Sequence, residues 1–441
     1  MSQKLSSFFN KVPRAIYYMS PWTPIRSALS MLFKGLQPGP LVEVFENKMA
    51  AKFDSTFAVA MPHARIGLHY ALKCYEYLPD DEVLMTPINL YDMVNMVRLA
   101  GLRPVFIDLK KEDYSIDLED LKSKVGPKSK FLILTHLNGF VPDMERIQAA
   151  CSELGLILIQ DSTQNYNSRF KGRSLTEFSE ISVYSLCDLK LVHTHIGAMI
   201  FTNSERQAQA LKELGKQDFS KPSKRYLLKF LLEDFLASFL LRRKIFSVSM
   251  YYVFRLVSLV NPQVIANLTS GKGISIAGIS LFKGLYGGGG DVLRKQFPSG
   301  MLHHFSELQA SIGLARLEKA EEIERKRVGN AELFYSLLEK TPEDCKPQLI
   351  TDAYHTYWKA PLFLEEPVKF QKYLLQNSID AAGTNLPCYS DVDLFKQFRG
   401  ATEQASKLRN GTIYIPLHYY LDKSEVTAIA AVVDGYFESS R

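Results

Sequence analysis

Short apolar runs alternate with amphipathic stretches from residue 57 to residue 161. Phe57-Ala58-Val59-Ala60, Glu82-Val83-Leu84-Met85, Pro104-Val105-Phe106-Ile107 and Phe131 to Thr135 read as strands. Ile66 to Leu78, Met93 to Leu99, Leu118 to Lys124 and Met144 to Leu154 carry the helical period between them. A further apolar run, Leu156 to Gln160, ends at Asp161. Strands spaced by helices predict parallel β-α-β units, a sheet covered on both faces, and ligands at the carboxyl ends of its strands. The alternation stops near Asn203. Residues 204–300 are helical, apolar and basic, and end in Gly287-Gly288-Gly289-Gly290. A long helix pattern resumes at Ser306 and runs through Leu308, Ile312, Leu317 and Ile323 toward Leu338. Four segments follow: a basic aromatic lead at 1–37, a large domain at 38–203, an insertion at 204–300, and a connecting helix with a small α+β domain at 301–441.

Composition narrows the class. The 441 residues are 46% hydrophobic and 23% charged, with a formal net charge of +6. That is ordinary globular composition, and so mild a charge does not by itself argue for nucleic acid, which is not expected as a partner. Five scattered cysteines form no CxxC pair, which fits a reducing, cytoplasmic compartment. No leader with a long apolar core and small-residue cleavage site is expected at the N-terminus.

The chemistry concentrates in two places. Asp161 follows one strand; Lys190 follows a second β-like run, Ile181-Ser182-Val183-Tyr184-Ser185, after a short turn. A carboxylate and a lysine at such ends are what a pyridoxal 5'-phosphate (PLP) enzyme needs. The lysine bonds the cofactor aldehyde and the aspartate holds the pyridine nitrogen protonated. A lysine in this role must be neutral, and desolvation or a nearby cation drives it there.

The order and spacing of several motifs carry a resemblance. These are Pro40-Leu41-Val42-Glu43-Val44-Phe45-Glu46, Gly101-Leu102-Arg103-Pro104-Val105-Phe106-Ile107-Asp108, His136-Leu137-Asn138-Gly139, Gln160-Asp161-Ser162-Thr163-Gln164, and Glu307-Leu308-Gln309-Ala310-Ser311-Ile312-Gly313. Over about 38–203 and 300–436 the chain resembles the DegT/DnrJ/EryC1/StrS sugar aminotransferases. The resemblance implies an α/β large domain of the aspartate-aminotransferase-like PLP fold type I, with a mostly parallel sheet. It also implies a homodimer, an amino acid donor (glutamate first) and a keto-sugar acceptor. Asp161 and Gln164 match the family's Asp-x-x-Gln, which holds the pyridinium nitrogen and the ring oxygen. Ser185 and Lys190 match its Ser-x-x-x-x-Lys, for phosphate and aldehyde. Tyr184 fills an aromatic position read as core. A dehydratase branch replaces the lysine with histidine; here the lysine is present. Other PLP chemistry and a non-catalytic scaffold remain the alternatives.

The chain departs from the pattern at the phosphate end. His63-Ala64-Arg65-Ile66 stands where the family has Ser-Gly-Thr-Ala. Ala64 at a helix N-terminus and Arg65 are read as phosphate ligands, since Arg65 opposes the helix dipole unless an anion lies beside it. Leu302 replaces an asparagine that reaches the neighbouring subunit's phosphate. Tyr91 is a candidate aromatic near the cofactor, or core. His193 and His195 alternate on an extended segment, but no third ligand is evident and no metal is expected. His303-His304 calls for no metal either, and His136 is a structural candidate.

The insertion reads Lys224-Arg225-Tyr226-Leu227-Leu228-Lys229-Phe230-Leu231-Leu232, then further apolar runs around Arg242-Arg243-Lys244. The charges interrupt any span of ~18 apolar residues, so a transmembrane helix is not predicted. Two readings stand for 224–260. It is a helical subdomain that buries its own apolar face or covers a dimer. Or it is a basic interfacial helix that docks on anionic lipid, giving peripheral contact at the inner membrane surface.

Overall fold

The computed structural model describes residues 10–34, 36–187, 189–260, 274–276, 279–281, 292–298, 300–398 and 400–439. The glycine run at 287–290 lies outside them. Seven strands form the central sheet: β1 (Phe57–Met61), β2 (Glu82–Met85), β3 (Arg103–Phe106), β4 (Ser129–Thr135), β5 (Ile157–Asp161), β8 (Ile181–Ser185) and β9 (Ala198–Thr202). Two short pieces, β6 (Arg169–Phe170) and β7 (Arg173–Ser174), lie between β5 and β8. The spatial order is β1-β9-β8-β5-β4-β2-β3. All neighbours are parallel except β9, which runs antiparallel to both β8 and β1.

The sequence pattern locates β1 to β5 and β8 within one or two residues, but assigns no strand to β6, β7 or β9. It does not announce that β9 is reversed. All five residues of β9 are buried, so its apolar run looks the same in either direction. The helix expected over Ile66 to Leu78 starts earlier and ends at Lys73.

Helices cover both faces. Residues Ala64–Lys73 and Tyr91–Leu99 bury Ile66, Leu68, Leu72, Val94 and Val97 against one side of the sheet. Residues Leu118–Lys124 and Met144–Glu153 bury Leu121, Met144 and Ile147 against the other. Asp117 and Asp143 cap these last two by accepting hydrogen bonds from backbone N–H groups in the first turn, as N-cap carboxylates do. The long helix Glu307–Ser336 starts on a capping box between Ser306 and Gln309. It crosses to the small domain, where Ala331 and Phe334 meet the strands Ala360–Phe363 and Thr412–Ile415 and the helix Lys423–Ser439.

The basic lead is not a loose tail in its described part. Val12 is buried in the small domain and pairs with Ile379. Arg14 forms a two-pronged ion pair with the buried Asp380, at 2.5 and 2.8 Å. Among the described residues the insertion contributes four helices: Glu205–Asp218, Lys224–Leu240, Arg243–Val248 and Met250–Val260.

Candidate active site

Asp161 is the last residue of β5 and 1% exposed. Its Oδ2 accepts hydrogen bonds from Asn89 Nδ2 (2.6 Å) and Thr135 Oγ1 (3.4 Å). Its Oδ1 accepts from the Thr163 N–H (3.1 Å). Asn89, Thr135 and Asp161 stand at the carboxyl ends of the adjacent strands β2, β4 and β5, the place where open α/β sheets bind ligands. A buried carboxylate held only by neutral donors keeps a site for a cation. A protonated pyridine nitrogen is such a cation.

The turn after β4 builds the next wall. Asn138 and Gly139 both have positive φ (63° and 82°). A Cβ on Gly139 would meet the Trp358 backbone N at 2.5 Å, so only glycine lets segment 356–359 dock this closely. Thr356 N–H donates to Gly139 O and Lys359 N–H donates to Asn138 O. Gln164 Oε1 accepts from Asn138 N–H at 2.7 Å. The docked segment brings Trp358 over Lys190, whose Nζ lies 4.2 Å from the ring centroid.

Lys190 shares a cavity of about 10 Å³ with Thr163, Gln164, Tyr166, Tyr184, Arg327 and Trp358. Thr163 thus links it to Asp161. That volume holds about one water. Burial, followed by the charges of Lys190, Arg327 and Arg14, lowers the Lys359 ammonium to about 8. Burial raises the nearby Glu324 carboxyl to about 8, against the opposing charge of Arg327. Tyr184 packs in the core as expected: its ring meets Phe53 and Tyr166, and burial drives its phenol well above the usual range.

The expected phosphate end is built differently. Ser185 is buried and its Oγ accepts from Cys187 N–H at 3.3 Å. Ala64 opens its helix after His63, which provides no side-chain cap. Arg65 points to Asp92 at 2.6 Å, and Arg294 grips the same carboxylate at 2.6 and 3.0 Å. Burial raises the Asp92 carboxyl, but the Arg294 hydrogen bond and both guanidinium charges outweigh it and hold it below the usual range. The anion that makes an arginine tolerable beside a helix N-terminus is therefore internal here. Tyr226 of the insertion hydrogen-bonds His63 Nε2 at 3.0 Å. Burial, then Arg65 and His303, keeps the His63 imidazole well below its usual range. Tyr91 stands in the first turn of its helix, half-buried, with its ring against Phe395.

The two histidines do acquire a third group. Asp234 of the insertion sits against His193 and His195, and all three are buried within 4.8 Å. The sequence hid it because it lies 39 residues beyond His195. Hydrogen bonding nevertheless disfavours a metal reading. His193 Nδ1 accepts the His195 N–H, which puts the ring proton on Nε2, facing Asp234 Oδ1 at 3.6 Å. His195 Nδ1 meets Asp234 Oδ2 at 2.5 Å, and its Nε2 meets Ser27 Oγ at 3.0 Å. A ligand nitrogen must instead present its lone pair and donate from its other ring nitrogen. The group ties the lysine loop to the insertion and to the N-terminal helix. His136 is likewise structural: it bonds Gln160 at 2.6 Å, and burial lowers it to about 4.

The fit to PLP is good at one end. Asp161 suits the ring nitrogen and Gln164 lies beside it. Tyr166 OH and Asn138 Nδ2 are buried polar atoms without a protein partner on this side of the site. A ligand oxygen satisfies such groups. The phosphate end offers Ser185 and the backbone at Ala64. Sequence reasoning missed Asn89, Thr135, Arg327, Trp358 and Lys359, which come from separate strands and from the small-domain side.

The mostly parallel sheet with an aspartate at one strand end and a lysine beyond the next defines the PLP fold type I class. The chain belongs to the DegT/DnrJ/EryC1/StrS aminotransferase family, whose model matches residues 28–239 and 284–434. It is similar to a GDP-perosamine synthase of Escherichia coli O157:H7, 29% identical over 38% of this chain and 46% of that one. The chain thus spans about half the length of the relatives it matches by sequence. Solved structures match over nearly their whole length. One is the sugar aminotransferase CalS13 from Micromonospora echinospora, with a TM-score of 0.69, 17% identity, and 96% and 99% of the two chains covered. Another is a GDP-4-keto-6-deoxymannose-3-dehydratase with a trapped PLP-glutamate geminal diamine, with a TM-score of 0.68, 15% identity, and 96% and 100% covered.

Proposed function

We propose that this protein is a PLP-dependent aminotransferase. It moves an amino group from an amino acid, glutamate first, to a keto sugar or similar ketone for envelope polysaccharide or secondary metabolite synthesis. It works as a homodimer in the cytoplasm. The carrying observation is the pairing of buried Asp161 with Lys190 through Thr163 and Gln164. PLP supplies an electron sink for a carbanion when bound. Asp161 keeps the ring nitrogen charged, with Asn89 and Thr135 fixing the carboxylate. Lys190 Nζ would take the proton from the donor carbon and deliver it to the cofactor's aldehyde carbon. Arg327 and Lys359 flank the lysine and supply positive charge for the donor carboxylate. Ser185 and the N–H groups at Ala64 hold the phosphate.

The test is glutamate with a panel of keto sugar nucleotides, read as 2-oxoglutarate formed. The reading expects turnover with at least one acceptor and none with Lys190→Ala. A second reading, a non-catalytic protein on this fold, is favoured by the internal pairing of Arg65 with Asp92. Failure to take up PLP at millimolar concentration would establish it.

A further inference from the structure

The helix Lys224–Leu240 is inverted relative to a soluble surface helix. Its inward face buries Leu227 and Leu231, but also Asp234 and Ser238. Its outward face carries Leu228, Leu232, Leu236 and Phe239, spaced four, four and three residues apart. Leu232 is 60% exposed and Leu236 48%. Surface helices ordinarily place their polar face toward water.

A second helix continues the pattern. Trp22–Lys34 packs against Lys224–Leu240, with Met31 meeting Leu227 and Leu231. Ser27 points inward to His195. Trp22 and Leu29 point outward, 63% and 52% exposed. The outward apolar side chains thus lie on two helices that pack against each other.

Charge identifies the occupant. Arg26, Arg225 and Lys229 are exposed on the same two helices. Glu233 is half-buried with Lys229 3.9 Å away. No Asp or Glu occurs before Glu43, nor between Asp234 and Asp291, while those two stretches hold eleven Lys or Arg. The whole chain is only +6, so the rest of it is net acidic. A second copy seated symmetrically on this face would set these cations against their own kind. No helix of the described residues is long and apolar enough to cross a membrane.

We propose that the outward faces of Trp22–Lys34 and Lys224–Leu240 form one docking surface for an anionic lipid bilayer. The leucines, Phe239 and Trp22 enter the acyl boundary, and Arg26, Arg225 and Lys229 meet the headgroups. His195 bonds both helices through Ser27 and Asp234, so the lysine loop lies one helix, ~10 Å, behind the lipid face. The proposal needs no cofactor and stands apart from the transaminase reading.

The test is flotation of the full chain with phosphatidylcholine vesicles, with and without phosphatidylglycerol. Binding to the anionic vesicles alone is expected, weakened as salt rises from ~0.1 to ~0.5 M. Leu232→Glu with Leu236→Glu is expected to cut the bound fraction about tenfold or more. Its thermal melting should be unchanged, because both side chains already face water. Brominated lipid should quench Trp22 fluorescence in a Trp358→Phe background. Flotation that is absent, or equal for the double variant, overturns the proposal. So does a halving of particle mass by light scattering in the double variant, which assigns the face to a second copy.

Discussion

The two ends of the candidate site are built from different material. Asp161 and its partner Thr135 end two adjoining parallel strands, and its partner Asn89 follows the end of a third, β2. The other end, around Ala64, Arg65 and His63, is reached by side chains from Tyr226 and Arg294, both in the insertion. Strand ends are fixed by the backbone ladder, so they keep their geometry while the surroundings change. A helix N-terminus recruits whatever anion or side chain lies nearby, so an insertion can rewrite it. On the proposed reading, reaction class belongs to the first end, and cofactor affinity to the second.

The comparison breaks most easily at the lysine. Lys190→Ala is expected to lower glutamate-driven turnover at least ~10³-fold, with PLP retention measured separately by equilibrium dialysis. Asp161→Asn removes the charge while keeping the shape. Turnover should fall ~10²-fold with little change in the melting temperature, since Asn89 and Thr135 keep neutral partners. Equal turnover in this variant would put the electronic role elsewhere.

Glu324 tests whether the lysine end is dry. Burial holds its carboxyl near 8 in the folded chain, above its ordinary value of 4.5. Between those values the unfolded chain has lost the proton and the folded chain keeps it, so stability falls as pH rises from 4.5 to 8. Glu324→Gln should flatten this slope and gain on the order of 1–2 kcal/mol at pH 8 by urea unfolding. An unchanged slope would show water reaching the carboxylate. The smallest effect belongs to Arg65. With its charge on Asp92, Arg65→Ala should change PLP affinity by less than ~3-fold. A loss above ~10-fold would show that it leaves Asp92 for the phosphate.

Much of the ring end was legible because parallel strands read as apolar runs and their ends can be counted. Asp161 and Lys190 stand out that way, while the roles of Gln164 and Ser185 were implied by the family resemblance. β9 was not read as a strand, and its reversal was hidden as well because buried strands carry no directional mark. Trp358 and Lys359 were hidden because the Gly139 turn brings them in from almost 170 residues beyond Lys190. Asp234 was hidden inside a leucine-rich helix, where an acid reads as a solvated position. The fold turns Leu228, Leu232 and Leu236 of that helix outward and its aspartate onto His195.

Lys359 gives the central claim its sharpest rival, since its ammonium near 8 makes it a second candidate amine beside Trp358. Borohydride reduction of the PLP-loaded protein, followed by peptide mapping, distinguishes the two. The account predicts a single pyridoxyl label on Lys190. A label on Lys359, or none, would contradict it.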